Sequence, residues 1–331
     1  MTDQFTGRET GGETESGPAA TARGTLVAYA RLAKLDVYDY YLGLPLVWTL
    51  LAPAGRWEPG VIGLLVLIVL AEIAVVAAMV GFDDITGYRD GSDAANYGAD
   101  AARRRLARKP LVAGTLTEAQ ALRFAWSATA LGVVLWALAV AVAPHRPPWA
   151  VVLAAVCVVA SVQYSWGLKI SYRGFQEIFL IGLGVGWVLV PYGLLTGEVT
   201  DLVLVQALLF GFGPMLFGLY SNTHDIDGDR RAGRVTVAAL VPAGVNTAFI
   251  TVMTAVAALL IVVGPLVGAV PWWLPIVLVP VLAMRATHLV IGAVRGDILR
   301  ARRIAIRAHR VTVILLVIAN LAAPLLTGTA T

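Results

Sequence analysis

The chain has 331 residues, 58% of them hydrophobic and only 14% charged, and its mean hydropathy is +0.78. That balance excludes an ordinary water-soluble domain and fits an all-α, polytopic membrane protein. The formal charge of +4 is modest and calls for no nucleic-acid partner, while the single cysteine, Cys157, supports neither a disulfide framework nor a thiolate metal site.

Residues 1–24 are rich in Gly, Thr, Ala and Glu and lack the apolar core of a signal peptide, which predicts a disordered cytoplasmic tail dispensable for chemistry. Residues 25–331 read as one transmembrane domain. A bilayer core takes roughly 20 apolar residues per helix. Nine stretches approach that length: 37–54, 60–82, 119–143, 148–165, 175–196, 202–222, 243–266, 271–293 and 307–327. Basic residues gather in alternate connections. Arg89, Arg103, Arg104, Arg105, Arg108 and Lys109 follow the second span, Lys169 and Arg173 the fourth, and Arg230, Arg231 and Arg234 the sixth. The opposite connections hold little beyond Arg56, Arg146, Glu198 and Asp201. The positive-inside rule then places the N-terminus in the cytoplasm and the C-terminus outside a plasma membrane.

Two acidic clusters end the second and sixth spans, so both fall on the cytoplasmic face. The first holds Asp83, Asp84, Asp90 and Asp93; the second holds Asp225, Asp227 and Asp229, with Asn222 just before them. Carboxylates are costly beside a bilayer, and their oxygens suit hard divalent cations such as Mg²⁺. Asp225 and Asp229 are four apart and share a helix face, with Asn222 on the same stripe. The same residues also suit a solvated helix end paired with Arg230 and Arg231. In the first cluster Asp84 and Asp93 diverge on an ideal helix, but Gly87 and Gly91 allow the chain to turn and aim both into one cavity. Lys109, Lys169 and Arg173 are best placed to neutralise a diphosphate, with Arg105, Arg108 and Arg230 behind them. Those bases serve equally to set topology against anionic lipid.

Glu72 lies eleven residues before Asp83, roughly 16 Å deeper along a helix. It is either a polar group lining a substrate chamber or a protonated acid hydrogen-bonded between helices. The two halves also share a coarse repeat, in which an apolar span, an acidic cluster, basic residues and a small-residue stretch follow one another. Compare 108–114 with 231–237. This predicts two related helical bundles around one central cavity.

Across residues 25–327 these motifs, in this order, resemble the UbiA superfamily of intramembrane prenyltransferases. Asp225-Ile-Asp-Gly-Asp229-Arg-Arg-Ala-Gly-Arg-Val-Thr matches its second acidic motif, Arg108-Lys-Pro-Leu-Val-Ala-Gly its basic Pro-Leu stretch, and Tyr164-Ser-Trp-Gly-Leu-Lys169 its Tyr-Ser-x-x-x-Lys segment. The first motif departs from the pattern: Asp83 stands where Asn is usual and Gly87 where the next Asp is expected. It is most similar to that of the menaquinone-type subgroup.

The resemblance implies Mg²⁺ bridging an isoprenoid diphosphate to both acidic motifs. Asp84, Asp225 and Asp229 then serve the metals, with Asp83, Asp90 or Asp93 replacing the carboxylate missing at 87. Lys109, Lys169 and Tyr164 contact the diphosphate, assisted by Asn222. The prenyl cation then meets an aromatic or quinone-precursor acceptor, or an internal double bond as in the family's terpene cyclases. A cation-coupled transporter is a further reading of such carboxylates, although a transporter concentrates its acids near mid-membrane.

Overall fold

The structure, a computed structural model, describes residues 22–97 and 106–327. The tail before Ala22, the topology-signalling Arg103 and Arg104, and Arg105, expected behind the diphosphate-side bases, lie outside the described residues.

The described chain is helical, and its one β-type contact is an isolated bridge between Arg173 and Val235. A short helix α1 (Ala22–Leu32) leads to a 3-10 turn (Tyr38–Leu42) and α2 (Gly43–Leu50). Next comes α3 (Pro59–Arg89), which begins on a proline, where a missing N–H costs nothing. Its 31 residues rise roughly 46 Å, longer than a hydrocarbon core of about 30 Å. The helix is thus long enough for its last turns, which carry Asp83 and Asp84, to extend past the apolar layer. After α4 (Ser92–Tyr97), helix α5 (Glu118–Val142) starts from a capping box, in which Thr117 accepts from the Gln120 amide and Gln120 reaches back to Thr117.

Helices α6 (Pro148–Gln163), α7 (Gln176–Thr196) and α8 (Asp201–His224) follow, then α9 (Ile226–Arg231) and α10 (Val237–Leu240), both short. The chain closes with α11 (Ala243–Leu266), α12 (Leu274–Val277), α13 (Val279–Leu289, prolonged by a π turn to Val294) and α14 (Ile298–Thr327). Among the described residues six helices are long and apolar enough to cross a membrane: α3, α5, α7, α8, α11 and α14. The apolar segments 148–163 and 279–294 are shorter, and α2 has only eight residues, so helix length alone does not establish nine crossings.

Packing follows from sequence. Helices α7 and α8 are apolar on all sides and lie at the centre, packed against each other. Their axes approach closely because glycine faces glycine. A Cβ on Gly184 would stand 2.6 Å from the Gly211 Cα, so any larger residue would force the helices apart. Around this pair, α3 packs on α5 and α14 on α8 and α13. The outer helices turn Leu131, Val134, Val252 and Leu259 outward, apolar surface that lipid rather than water can cover.

Candidate active site

Three loop segments meet where α3 and α8 end. At the first, α3 stops at Arg89, Gly91 turns back with φ +79°, and Asp90 accepts the Ser92 amide at 2.9 Å to start α4. This fold-back returns Asp93 to α3, where it fills the space beside Gly87. A Cβ added at 87 would lie 2.8 Å from the Asp93 carboxyl carbon. Gly87 stays helical, contrary to the unwinding expected there; the break comes at Gly91, whose positive φ only glycine adopts freely. The Lys109 ammonium then grips both acids, 2.8 Å from Asp84 Oδ1 and 2.7 Å from Asp93 Oδ1.

At the second segment α8 ends at His224, and Asp225 leaves the helical region with φ −100° and ψ 12° before α9 begins. The Asp229 amide still bonds the Asp225 carbonyl at 2.9 Å, so the two acids remain one turn apart. Asn222 stays on α8 instead of sharing their stripe. Buried, it accepts from Gln176 at 3.2 Å and donates to Glu177 at 3.4 Å. Thr236 caps α10 and donates to Asp229 Oδ2 at 3.3 Å.

The third segment, 164–175, ties the other two together. Ser165 donates to Asp83 Oδ1 at 2.6 Å, and Thr86 donates to the Ser165 carbonyl at 2.8 Å. The Val235 amide bonds the Tyr172 carbonyl at 3.2 Å, beside the Arg173–Val235 bridge. Arg234 is thereby delivered between the two acidic segments. Its guanidinium lies over the Tyr172 ring at 5.1 Å, donates to the Tyr164 hydroxyl at 3.4 Å and stands 3.9 Å from Asp83 Oδ1. Helix α4 packs directly on α9, so the two acidic clusters face each other.

Burial and charge set the protonation of this cluster. Burial opposes the Lys109 charge, but Asp84, Asp93 and Asp83 hold its ammonium well above the ordinary lysine range. Burial pushes the Asp93 carboxyl up to about 6 against the pull of Lys109. Asp229 is also pushed up to about 6 by burial, opposed by Arg234 and reinforced by Asp225. Burial raises Asp225 as well, with His224 opposing. Arg234 is held above the usual arginine range by Tyr164, Asp83 and Asp229, although burial works against it.

The remaining expected residues stand at different depths. Asp90 is exposed and accepts from the Tyr172 hydroxyl at 2.6 Å, away from Lys109. Lys169 holds a left-handed backbone (φ 52°) with its ammonium 5.3 Å over the Tyr172 ring. It lines a cleft of about 480 Å³ with Thr86, Arg89, Asp90, Trp166 and Gly167. Tyr164 is buried, its ring tilted 34° against Phe179 with centroids 4.7 Å apart. Arg173 is exposed, and Arg230 donates to the Ala239 carbonyl at 3.0 Å. Glu72 is 1% exposed within α3, and neither carboxyl oxygen has a hydrogen-bond partner among the described residues.

Sequence reasoning counted Arg234 only as a topology signal and passed over Ser165, Tyr172 and Lys34. The Gly-Arg-Val-Thr run after Asp229 could have flagged Arg234, because a glycine turn there must fold the next residue back. Lys34 reaches 3.1 Å from Asp84 Oδ1 across 50 positions of sequence and left no local signal.

The acids suit a divalent cation. Among the described residues Asp84 Oδ2 and Asp93 Oδ2 are buried without hydrogen-bond partners, hard oxygens with lone pairs to offer. Among the described residues no three acidic, thiol or imidazole groups converge to hold a metal alone. Such a site needs further oxygens from a ligand.

The profile of the UbiA prenyltransferase family matches residues 42–308. The chain belongs to this family. Like other UbiA members it is an integral membrane protein, consistent with its six long apolar helices. Solved structures with the same fold include a digeranylgeranylglyceryl phosphate synthase, with TM-score 0.64 and 13% identity over 90% of this chain and 99% of that one. A UbiA homolog from Archaeoglobus fulgidus bound to DMAPP and Mg²⁺ has TM-score 0.61 and 14% identity over 87% and 98% of the two chains. An apo homolog from Aeropyrum pernix K1 gives 0.61 and 15% over 86% and 98%. No curated protein sequence matches the chain.

Proposed function

We propose that this protein ionises an allylic isoprenoid diphosphate with Mg²⁺ and transfers the prenyl group to an aromatic or quinone-precursor acceptor. The observation that carries the reading is the packing of α4 on α9, which brings two acidic clusters together with Lys109 and Arg234 interleaved. The A. fulgidus homolog bound to DMAPP and Mg²⁺ supports it.

In this reading Asp84 and Asp93 offer their unpartnered oxygens from one side, and Asp225 and Asp229 offer carboxylates from the other. Asp83, held by Ser165, orients Arg234, while Asp90 braces the loop through Tyr172. Mg²⁺ supplies the positive charge that ties the diphosphate oxygens to these acids and stabilises them as they depart. Lys109, Arg234, Tyr164 and Lys169 donate to the same oxygens, with Arg173 and Arg230 at the rim. Asn222 fixes the start of α7 against the end of α8. The C1–O bond breaks with its electron pair leaving on pyrophosphate. An acceptor ring carbon then gives its π electrons to C1 and loses its proton to the departed pyrophosphate, which restores the aromatic ring. Glu72 lines the apolar chamber that keeps water from the cation. The membrane domain spans 25–331, with nine crossings in two related halves. The N-terminus is cytoplasmic and the C-terminus outside a plasma membrane.

The test incubates purified protein with geranyl, farnesyl or geranylgeranyl diphosphate and Mg²⁺, with and without an aromatic acceptor. Prenylated product and pyrophosphate appearing only with acceptor support transfer. Hydrocarbon or terpene alcohol without acceptor would assign a cyclase instead, and no pyrophosphate under any condition would defeat the reading.

A further inference from the structure

We propose that Lys34 is a further substrate-handling residue: it neutralises Asp84 in the ligand-free protein and passes to the diphosphate when substrate binds. The inference rests on the diphosphate reading above.

Helix α1 buries Ala28 and Leu32, and the turn after it Ala33, in one apolar cluster with Phe82 and Ile85, the residues that flank Asp83 and Asp84 on α3. The helix then stops, and Lys34 takes φ +47°, a left-handed backbone that long side chains seldom adopt. This turn aims the ammonium at the acids, 3.1 Å from Asp84 Oδ1 and 3.9 Å from Asp83 Oδ2. Asp84 Oδ1 thus meets two ammonium groups, while Oδ2 meets none among the described residues.

The two lysines are unequal. Lys109 is 10% exposed and holds two carboxylates at 2.8 and 2.7 Å, whereas Lys34 is 23% exposed with longer contacts. The longer-held, more solvated cation is the one that exchanges. Asp83, Asp84 and Asp93 are already matched by Lys34, Lys109 and Arg234. A divalent cation on their remaining oxygens adds positive charge to acids already matched, which favours release of the most loosely held resident cation. Incoming diphosphate oxygens offer that cation a new partner, and a lysine head on a flexible stem can change partners without backbone movement.

The experiment uses full-length protein in detergent, with Lys34→Met, which keeps the stem, and Lys34→Arg, which keeps the charge. Apparent affinities for Mg²⁺ alone and for Mg²⁺ with inorganic pyrophosphate are read from thermal unfolding, alongside kcat and KM. Lys34→Met should bind Mg²⁺ alone about tenfold more tightly and Mg²⁺–pyrophosphate about tenfold more weakly, the scale of one charge-assisted hydrogen bond. Its KM for prenyl diphosphate should rise more than its kcat falls, and Lys34→Arg should recover most of the loss. A purely structural lysine would move both affinities the same way or neither; either result, with wild type still protected by Mg²⁺–pyrophosphate, overturns the inference. Wild type unprotected by Mg²⁺–pyrophosphate would overturn the diphosphate reading itself.

Discussion

The two acidic clusters contain the same residue type and are handled in opposite ways. Asp84 and Asp93 are bound directly by lysine, with Lys109 reaching both and Lys34 reaching Asp84. Asp225 and Asp229 are held by backbone and hydroxyl contacts, a turn of α9 and the Thr236 hydroxyl, with Arg234 nearby as a field rather than a bonded partner. One cluster already holds bonded ammonium groups and, in the proposed exchange, releases one when metal–diphosphate arrives. The other is buried and undercompensated, so an arriving positive charge stabilises it outright. A site built from one of each can discriminate a metal–diphosphate complex from free metal.

Removing either half should show the largest effect. Asp84→Ala and Asp225→Ala should each lower pyrophosphate release by on the order of a hundredfold or more, the scale for losing one preorganised electrostatic group. A clean Asp225→Ala preparation that still releases pyrophosphate at the wild-type rate would show that the second cluster is not part of the reaction.

The compensated half should depend on its lysine for stability. Lys109→Met leaves two buried carboxylates short of charge and should destabilise the protein by about 3–5 kcal/mol. The double change Lys109→Met with Asp93→Asn should recover part of that loss in thermal unfolding. Gly87→Asp should cost roughly 1–3 kcal/mol by crowding Asp93. Pairing it with Asp93→Gly should restore stability and, if the carboxylates are interchangeable, activity. Recovery of neither would show that the space beside Gly87 is not what Asp93 is built to fill.

A smaller effect should appear in pH. Asp93 and Asp229 are both raised to about 6, so the folded protein holds protons that the unfolded chain releases near 4. Stability of the ligand-free protein should therefore fall as pH rises from about 4 to 6. The slope should shrink in Asp229→Asn, measured by thermal scans across that range. The smallest change is expected at Glu72, an unpaired buried acid remote from both clusters. Glu72→Gln should alter melting little or raise it, while a strong loss of product at unchanged stability would move Glu72 from wall to chemistry.

Much of this was legible in advance because membrane chains are read by hydropathy. Apolar length located the helices at 118–142, 176–196, 201–224 and 243–266 to within a few residues, but it ended the 59–89 helix seven residues early and began the 298–327 helix nine residues late, because their polar turns carry no apolar signal; the cost of charge beside lipid singled out 83–93 and 225–229. The family resemblance named Lys109 and Tyr164 as diphosphate contacts; the fold sets the Lys109 ammonium on Asp84 and the Tyr164 hydroxyl beside Arg234. The helix breaks were less legible. A one-turn spacing suggested that Asn222, Asp225 and Asp229 share a face, but the chain breaks at Asp225 and sends Asn222 to Gln176.

The sequence by itself determined that this is a helical membrane protein with two acidic patches at span ends, because burial of backbone in lipid leaves few alternatives. Only the tertiary structure decided which cation meets which carboxylate. Lys34, Lys109 and Arg234 come from three separate segments. Their meeting depends on glycine turns and on α4 seating against α9, contacts between residues far apart in the chain that no local pattern encodes.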